Sequence, residues 1–333
     1  MSENKLHPWH GIARLISLIV IFVCIIIAAT QINYSAIVDN ISSIGYEMSP
    51  ELADIVDDIK LTRDGERILM ATRPELQEAE EFNQNCVSGD SESATLGCYS
   101  NNRIFVYNIV RSELEGIRQV TLAHELLHAV WARMTDSERR ELHDSLDSIY
   151  QTEESIQEHM KLYSPDGYYD ELHSTVGSQI SPDKLSEPLR NHYAKYFTNQ
   201  SKLAEFYDGY NAQFKVASDR IKELEKEIAE RKDAVIKKQE EYMLNNSILS
   251  NDINDFNARA RNGSFESVEQ FHQEREALIQ RQSVQRVAYQ EIMNYISDTN
   301  ALVNEYNNNI ARKTSLYKSI DSKIDQPDDT TEE

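Results

Sequence analysis

His124-Glu125-Leu126-Leu127-His128 places two imidazoles and a carboxylate inside the apolar stretch Val120–Trp131. On a helix, residues four apart share one face, so both imidazoles can reach a single metal ion. Zinc accepts neutral His nitrogens at about 2.0–2.1 Å. Glu125, next to the first imidazole, is placed to take a proton from a water beside the metal, the general-base role in hydrolysis. A helix that is apolar nearly all round is a buried one, and charged residues are rarely buried without partners. The pattern therefore marks a metal site.

Two ligands do not complete a catalytic zinc site; a third protein ligand is needed, with a position left for water. The extended HExxHxxGxxH arrangement is absent, because Trp131 and Met134 stand where Gly and His would be required. The segment Tyr168-Tyr-Asp-Glu-Leu-His-Ser-Thr-Val-Gly177 supplies acidic and imidazole candidates. Glu171 and His173 are two apart, so a helix points them in different directions and only one faces the metal. Over about residues 50–200 the chain resembles the gluzincin class of zinc metallopeptidases, in which HExxH is completed by a Glu on a later helix. The resemblance is specific at His124, Glu125 and His128 and looser at Glu171. It implies a zincin-like domain, one zinc ion, and Glu171 as third ligand, with His173 the alternative and Asp170 behind both. The expected activity is peptide-bond hydrolysis, endopeptidase rather than exopeptidase. His173, Tyr168, Tyr169, His192 and Tyr193 are the candidates for stabilising an oxyanion. A carboxylate orienting one of the ligand histidines is also expected, at a position the sequence does not specify. His143, His159 and His272 read as solvated helix-face residues.

Positioning such a site takes an α+β domain, mostly helical, over about 48–200. Ser49-Pro50 starts a helix to about Lys60. Asp64-Gly65 reads as a turn, Arg67–Thr72 as a strand, and Pro74 as the start of a short helix through Phe82. Arg103–Asn108 is a strand by its β-branched and aromatic content. Gly116 precedes the motif helix; further helices are expected near 136–150, at 168–176 (closed by Gly177) and at 191–197. Strands gather ahead of the motif helix, so a short antiparallel sheet with helices packed on it is the expected architecture.

The chain's two ends differ from this middle. Leu15–Ala29 is an apolar run interrupted only by Ser17. With its flanks it makes 12–34 a transmembrane signal anchor, long enough to span about 30 Å. Lys5 and Arg14 precede the run and no Lys or Arg follows until Lys60. The positive-inside rule then puts 1–11, with His7 and His10, in the cytoplasm and the rest outside the cell membrane; cleavage of the segment would instead give a secreted protein. An oxidising exterior suits a disulfide between Cys86 and Cys98. From 201 to 324 apolar residues recur at alternating three- and four-residue steps, interrupted at Asn262-Gly263. That is the pattern of a coiled-coil helical hairpin, each arm roughly 70–90 Å long and able to engage a protein partner. Residues 325–333 form an acidic, disordered tail. A net charge of −22 disfavours nucleic acid as a partner. The competing reading is a non-enzymatic envelope scaffold whose metal site is structural or inactive.

Overall fold

The computed structural model describes residues 34–86, 95–161, 163 and 167–323. All but the last residue of the expected anchor, and the acidic tail, lie outside them. Among the described residues no helix is long and apolar enough to cross a membrane. Contacts divide the chain into two units, one running to Tyr210 and resuming at Ser319, the other Asn211–Lys318.

The first unit opens with α1 (Tyr34–Ser42), α2 (Pro50–Asp58) and α3 (Arg63–Ala71). Ser49 caps α2, its side chain accepting from Leu52 N, with proline at the first helical position. The stretch expected to be a strand at 67–72 is the second half of α3. Thr62 caps this helix by accepting from Gly65 N. Gly65 is not a turn but a close approach, since a β-carbon there would stand 2.4 Å from the Tyr196 carbonyl oxygen. The α3 face with Ile68 and Leu69 then turns into the core.

The sheet has three strands, β1 (Glu75–Gln77), β2 (Gly97–Ser100) and β3 (Arg103–Tyr107), in the order β1-β3-β2. It is mixed rather than antiparallel. β2 pairs antiparallel with β3, but β1 runs parallel to it, with Leu76 beside Val106. The segment after Pro74, expected to be helical from its start, first donates this strand. Only then does it form α4 (Ala79–Asn85). Pairing with the buried β3 overrides local preference there. A Cys86–Cys98 disulfide joins the end of α4 to β2.

The central element is α5 (Ile117–Arg133), the motif helix, with Gly116 as its N-cap. Leu122, Leu126 and Leu127 are fully buried, each contributing on the order of 2 kcal/mol of apolar transfer free energy. Around it stand α6 (Asp136–Thr152), α7 (Glu154–Met160), α8 (Tyr168–Gln179) and α9 (Glu187–Tyr193). A complete capping box at Thr135 and Glu138 starts α6. Helix α8 does not stop at Gly177. A β-carbon at 177 would lie 2.5 Å from Leu127 Cδ1 and 2.4 Å from Tyr193 Cε1, so glycine lets α8 lie directly on α5.

The second unit comprises the parts of α10 (Gln200–Asn262) and α11 (Val268–Ile320) that fall within 211–318, joined where Gly263 takes a φ of 67°. Over 211–318 the two run antiparallel: Arg220 pairs with Glu305, Arg231 with Asp298, Lys238 with Glu291 and Arg259 with Glu274. Ala217, Ile221, Leu224 and Ile228 fill one side of the seam, Ile292, Thr299 and Leu316 the other. Arg231 and Lys238, polar stations in the stripe, lie over the Tyr295 ring. Phe256, Phe265 and Phe271 close the turn end with ring centroids 5.2–5.3 Å apart.

Candidate metal centre

Helix periodicity brings the His124 and His128 Nε2 atoms to 3.0 Å from each other. Helix α8, seated on α5 at Gly177, carries Glu171 to them, with carboxylate oxygens 3.5 Å from His124 Nε2 and 3.4 Å from His128 Nε2. These three residues form a group that can hold a metal ion. Ligands about 2.0–2.1 Å from one tetrahedral centre stand about 3.3 Å from each other; the imidazole–imidazole distance and the two contacts, through Oε1 to His124 and Oε2 to His128, are close to this. Donor chemistry fits as well. His128 Nδ1 donates to Asp170 Oδ1 at 2.8 Å, and a carboxylate only accepts, so in the neutral imidazole the Nε2 turned toward Glu171 and His124 carries the lone pair that a cation would take.

Asp170 is thus the orienting carboxylate that the sequence left unplaced. Glu171 is held from behind as well: its Oε1 accepts from His159 Nε2 at 3.0 Å and from Thr175 Oγ1 at 3.1 Å. Burial would raise the Glu171 pKa, but the His124 imidazole and hydrogen bonds from His124, His128 and His159 outweigh it and hold the carboxyl well below its usual range. Burial opposes charging of His128, yet hydrogen bonds to Asp170 and Glu171 push it up to about 10. Three carboxylates, Glu125, Asp170 and Glu171, meet three imidazoles, His124, His128 and His159, at this spot.

Glu125 is 6% exposed, and burial raises its pKa despite the neighbouring imidazoles. Its place is fixed by β2. A β-carbon on Gly97 would stand 2.7 Å from Thr121 Cγ2 and 2.9 Å from both Glu125 Cγ and Oε1. Only glycine lets the strand lie this close to the carboxylate. The group lies in a cleft of about 380 Å³, walled by Gly97, Cys98 and Tyr99 of β2 on one side and reached by His159, Tyr163 and Tyr210. Burial, then the charges of Glu171 and Glu125, raises the Tyr163 pKa.

No family model, curated protein or solved structure matches the chain. The site is therefore read from its own geometry.

That geometry sorts the candidates. His173, the alternative third ligand, is fully buried away from the group; its Nε2 meets His192 Nε2 at 2.8 Å and its ring lies 5.1 Å from that of Trp131. None of the five oxyanion candidates lines the cleft. Tyr193 donates to the His173 carbonyl at 2.8 Å, and Tyr169 donates to Asp147 while stacking on His143. Tyr168 packs against Tyr150 and Tyr169. The β-strand-like period of 171 and 173 on a helix explains the split: one side chain reaches the metal group, the other the core. His159 is not a solvated helix-face residue, since it binds Glu171. Tyr163 and Tyr210 were likewise missed, and nothing in their local sequence sets them apart from the other tyrosines.

Proposed function

We propose that this chain is a zinc-dependent peptidase, held to the cell membrane by residues 12–34 with its catalytic domain outside. The observation that carries the reading is a buried carboxylate, Glu125, beside a three-donor group on the floor of a cleft bounded by an edge strand. His124, His128 and Glu171 would hold the ion, and zinc when bound supplies a Lewis acid that polarises a carbonyl and makes nearby water more acidic.

The chain's own residues supply the rest. Glu125, excluded from bulk water, accepts a proton from the attacking water and returns it to the departing amine. Asp170 keeps His128 in the tautomer that presents Nε2, and His159 with Thr175 fixes the Glu171 carboxylate. Tyr163 lines this cleft, and its hydroxyl would donate a hydrogen bond to a substrate oxygen there.

A peptide suits the wall better than a compact molecule. In the antiparallel β2–β3 ladder, Tyr107 N donates to Leu96 O and Cys98 stands opposite Phe105. By alternation, Gly97 and Tyr99 then turn their main-chain N–H and C=O away from β3. An extended peptide can pair there as an added strand. Such pairing needs no chain terminus, which favours internal cleavage. The antiparallel hairpin over 211–318 is read as an arm for a protein partner.

Glu125→Gln tests the assignment. The variant should keep the metal content of the wild type while cleavage of a peptide library falls roughly 10²–10⁴-fold. Undiminished cleavage would refute it.

A further inference from the structure

Helix α1 is turned inside out. Its buried side is polar: Asp39 is 2% exposed and accepts from the Arg133 guanidinium at 2.9 and 2.8 Å. Its outer side is aliphatic, with Ile37, Val38, Ile41 and, just past the helix end, Ile44 exposed by 48%, 58%, 62% and 70%. Residues 37, 38 and 41 share one face of the helix as a stripe, and Ile44 follows in the turn beyond it. The helix cannot roll over to bury that stripe without breaking a buried ion pair, which is strongly destabilising.

What covers the stripe follows from the chain just ahead of it. Residues 12–34 are the segment that the sequence assigns to the bilayer, with Ile32 its last aliphatic residue. Only Gln31-Ile32-Asn33 separates the uninterrupted part of that segment, with Thr30, from α1. From Ile32, extended chain to Tyr34 and helix to Ile37 reach no more than about 12 Å. Interfacial helices lie with their apolar face about 5–10 Å into the boundary between headgroups and acyl chains. Ile37, the near end of the stripe, is therefore within reach of that depth, and the rest of α1 continues from it at about 1.5 Å per residue. At its end Arg73 is exposed, donating from Nε to the Ser42 carbonyl and from Nη2 to the Ile44 carbonyl. That adds a cation suited to anionic headgroups. A second copy is a poor alternative, since four aliphatic side chains offer less than the ~600 Å² per partner of a stable interface.

We propose that Ile37, Val38, Ile41 and Ile44 seat the folded domain on the surface of an anionic lipid bilayer, so that α1 is an interfacial helix and not a spacer. The seat reaches the metal helix directly, because Arg133, which holds Asp39, is the last residue of α5. The proposal rests on the sequence reading of 12–34 as an anchor, and its test separates the two.

The full chain is reconstituted in vesicles of phosphatidylcholine and phosphatidylglycerol, with a fluorophore sensitive to its surroundings on one thiol at a time. The positions are native Cys24, and Ile41→Cys or Ile44→Cys in a Cys24→Ser background. Both isoleucines are exposed, so the label is tolerated, and two sites guard against one misfolded variant. Nitroxide-bearing lipids should quench labels at 24, 41 and 44, with about twofold or greater loss at the two α1 sites. Quenching at 24 with 41 and 44 open to a water-soluble quencher would overturn the seat and leave the anchor standing. Labels at 41 and 44 shielded from water yet unquenched by lipid would show a protein covering the stripe, and would also overturn it. Absence of quenching at all three, with the chain free in solution, would remove anchor and seat together.

Discussion

Removing the Asp170 carboxylate should weaken metal binding without touching a ligand. His128 Nδ1 donates to Asp170 Oδ1 at 2.8 Å, where His128 is 18% and Asp170 35% exposed. A charge-assisted bond of that length both orients the ring and makes Nε2 a better donor. Loss of such a partner typically costs 10–100-fold in metal affinity, about 1.4–2.7 kcal/mol. Partial solvation of Asp170 places Asp170→Asn, which keeps an acceptor but removes the charge, near the lower end of that range. Asp170→Ala removes both and belongs near the upper end. Competition against a fluorescent zinc chelator measures the change, with circular dichroism confirming the fold. Asp147→Asn is the control, because Asp147 accepts from Tyr169 at 3.0 Å and makes no bond to the metal group. Wild-type affinity in Asp170→Ala, alongside a large loss in Glu171→Ala, would refute the argument that this hydrogen bond prepares His128. Full zinc occupancy in Glu171→Ala would remove the three-donor group itself.

Other consequences follow from the same packing. Gly97→Ala forces a methyl group into Thr121 and Glu125, so peptide cleavage should drop on the order of tenfold or more, as for a roughly 1 Å displacement of a catalytic group, while zinc content stays unchanged; full activity would show that β2 does not fix Glu125. Cys86→Ser opens a disulfide closing twelve residues of sequence and should cost about 3 kcal/mol, read as a lower denaturant midpoint. Burial lowers the His192 pKa from 6.5 to about 4, so the unfolded chain binds the proton first. The associated stability is complete above about pH 6.5 and is lost as pH falls toward 4, about 2 kcal/mol at pH 5. His192→Gln should flatten the difference between midpoints at pH 7 and pH 5; an unchanged difference would exonerate that imidazole.

The motif helix was legible because its information is local. A spacing of four on a buried helix fixes where His124 and His128 point, whatever surrounds them. Glu171 came from resemblance to a known arrangement, and in the structure its carboxylate oxygens stand 3.5 and 3.4 Å from the two imidazoles. Asp170, His159, Gly97 and Gly177 were hidden for one reason: each acts through a neighbour distant in sequence. Gly177 reads locally as a helix stop, yet its role is to admit Leu127 and Tyr193. Gly65 reads as a turn after Asp64, yet it admits the Tyr196 carbonyl inside a helical first turn. Arg67–Thr72 has the aliphatic run of a strand, and the Thr62 cap decides otherwise. The hairpin was readable from its period alone because its partner is the next helix, so sequence order and spatial order coincide.

The link from Cys86 to Cys98 lies one residue from the glycine that presses on the buried carboxylate. In a thiol-rich cytosol that staple stays open, and the wall beside Glu125 lacks its rear support. On the proposed reading of an exported peptidase, Glu125 would gain that support only outside the cytosol, so a newly made chain would pass the cell's own proteins with its cutting edge still loosely mounted.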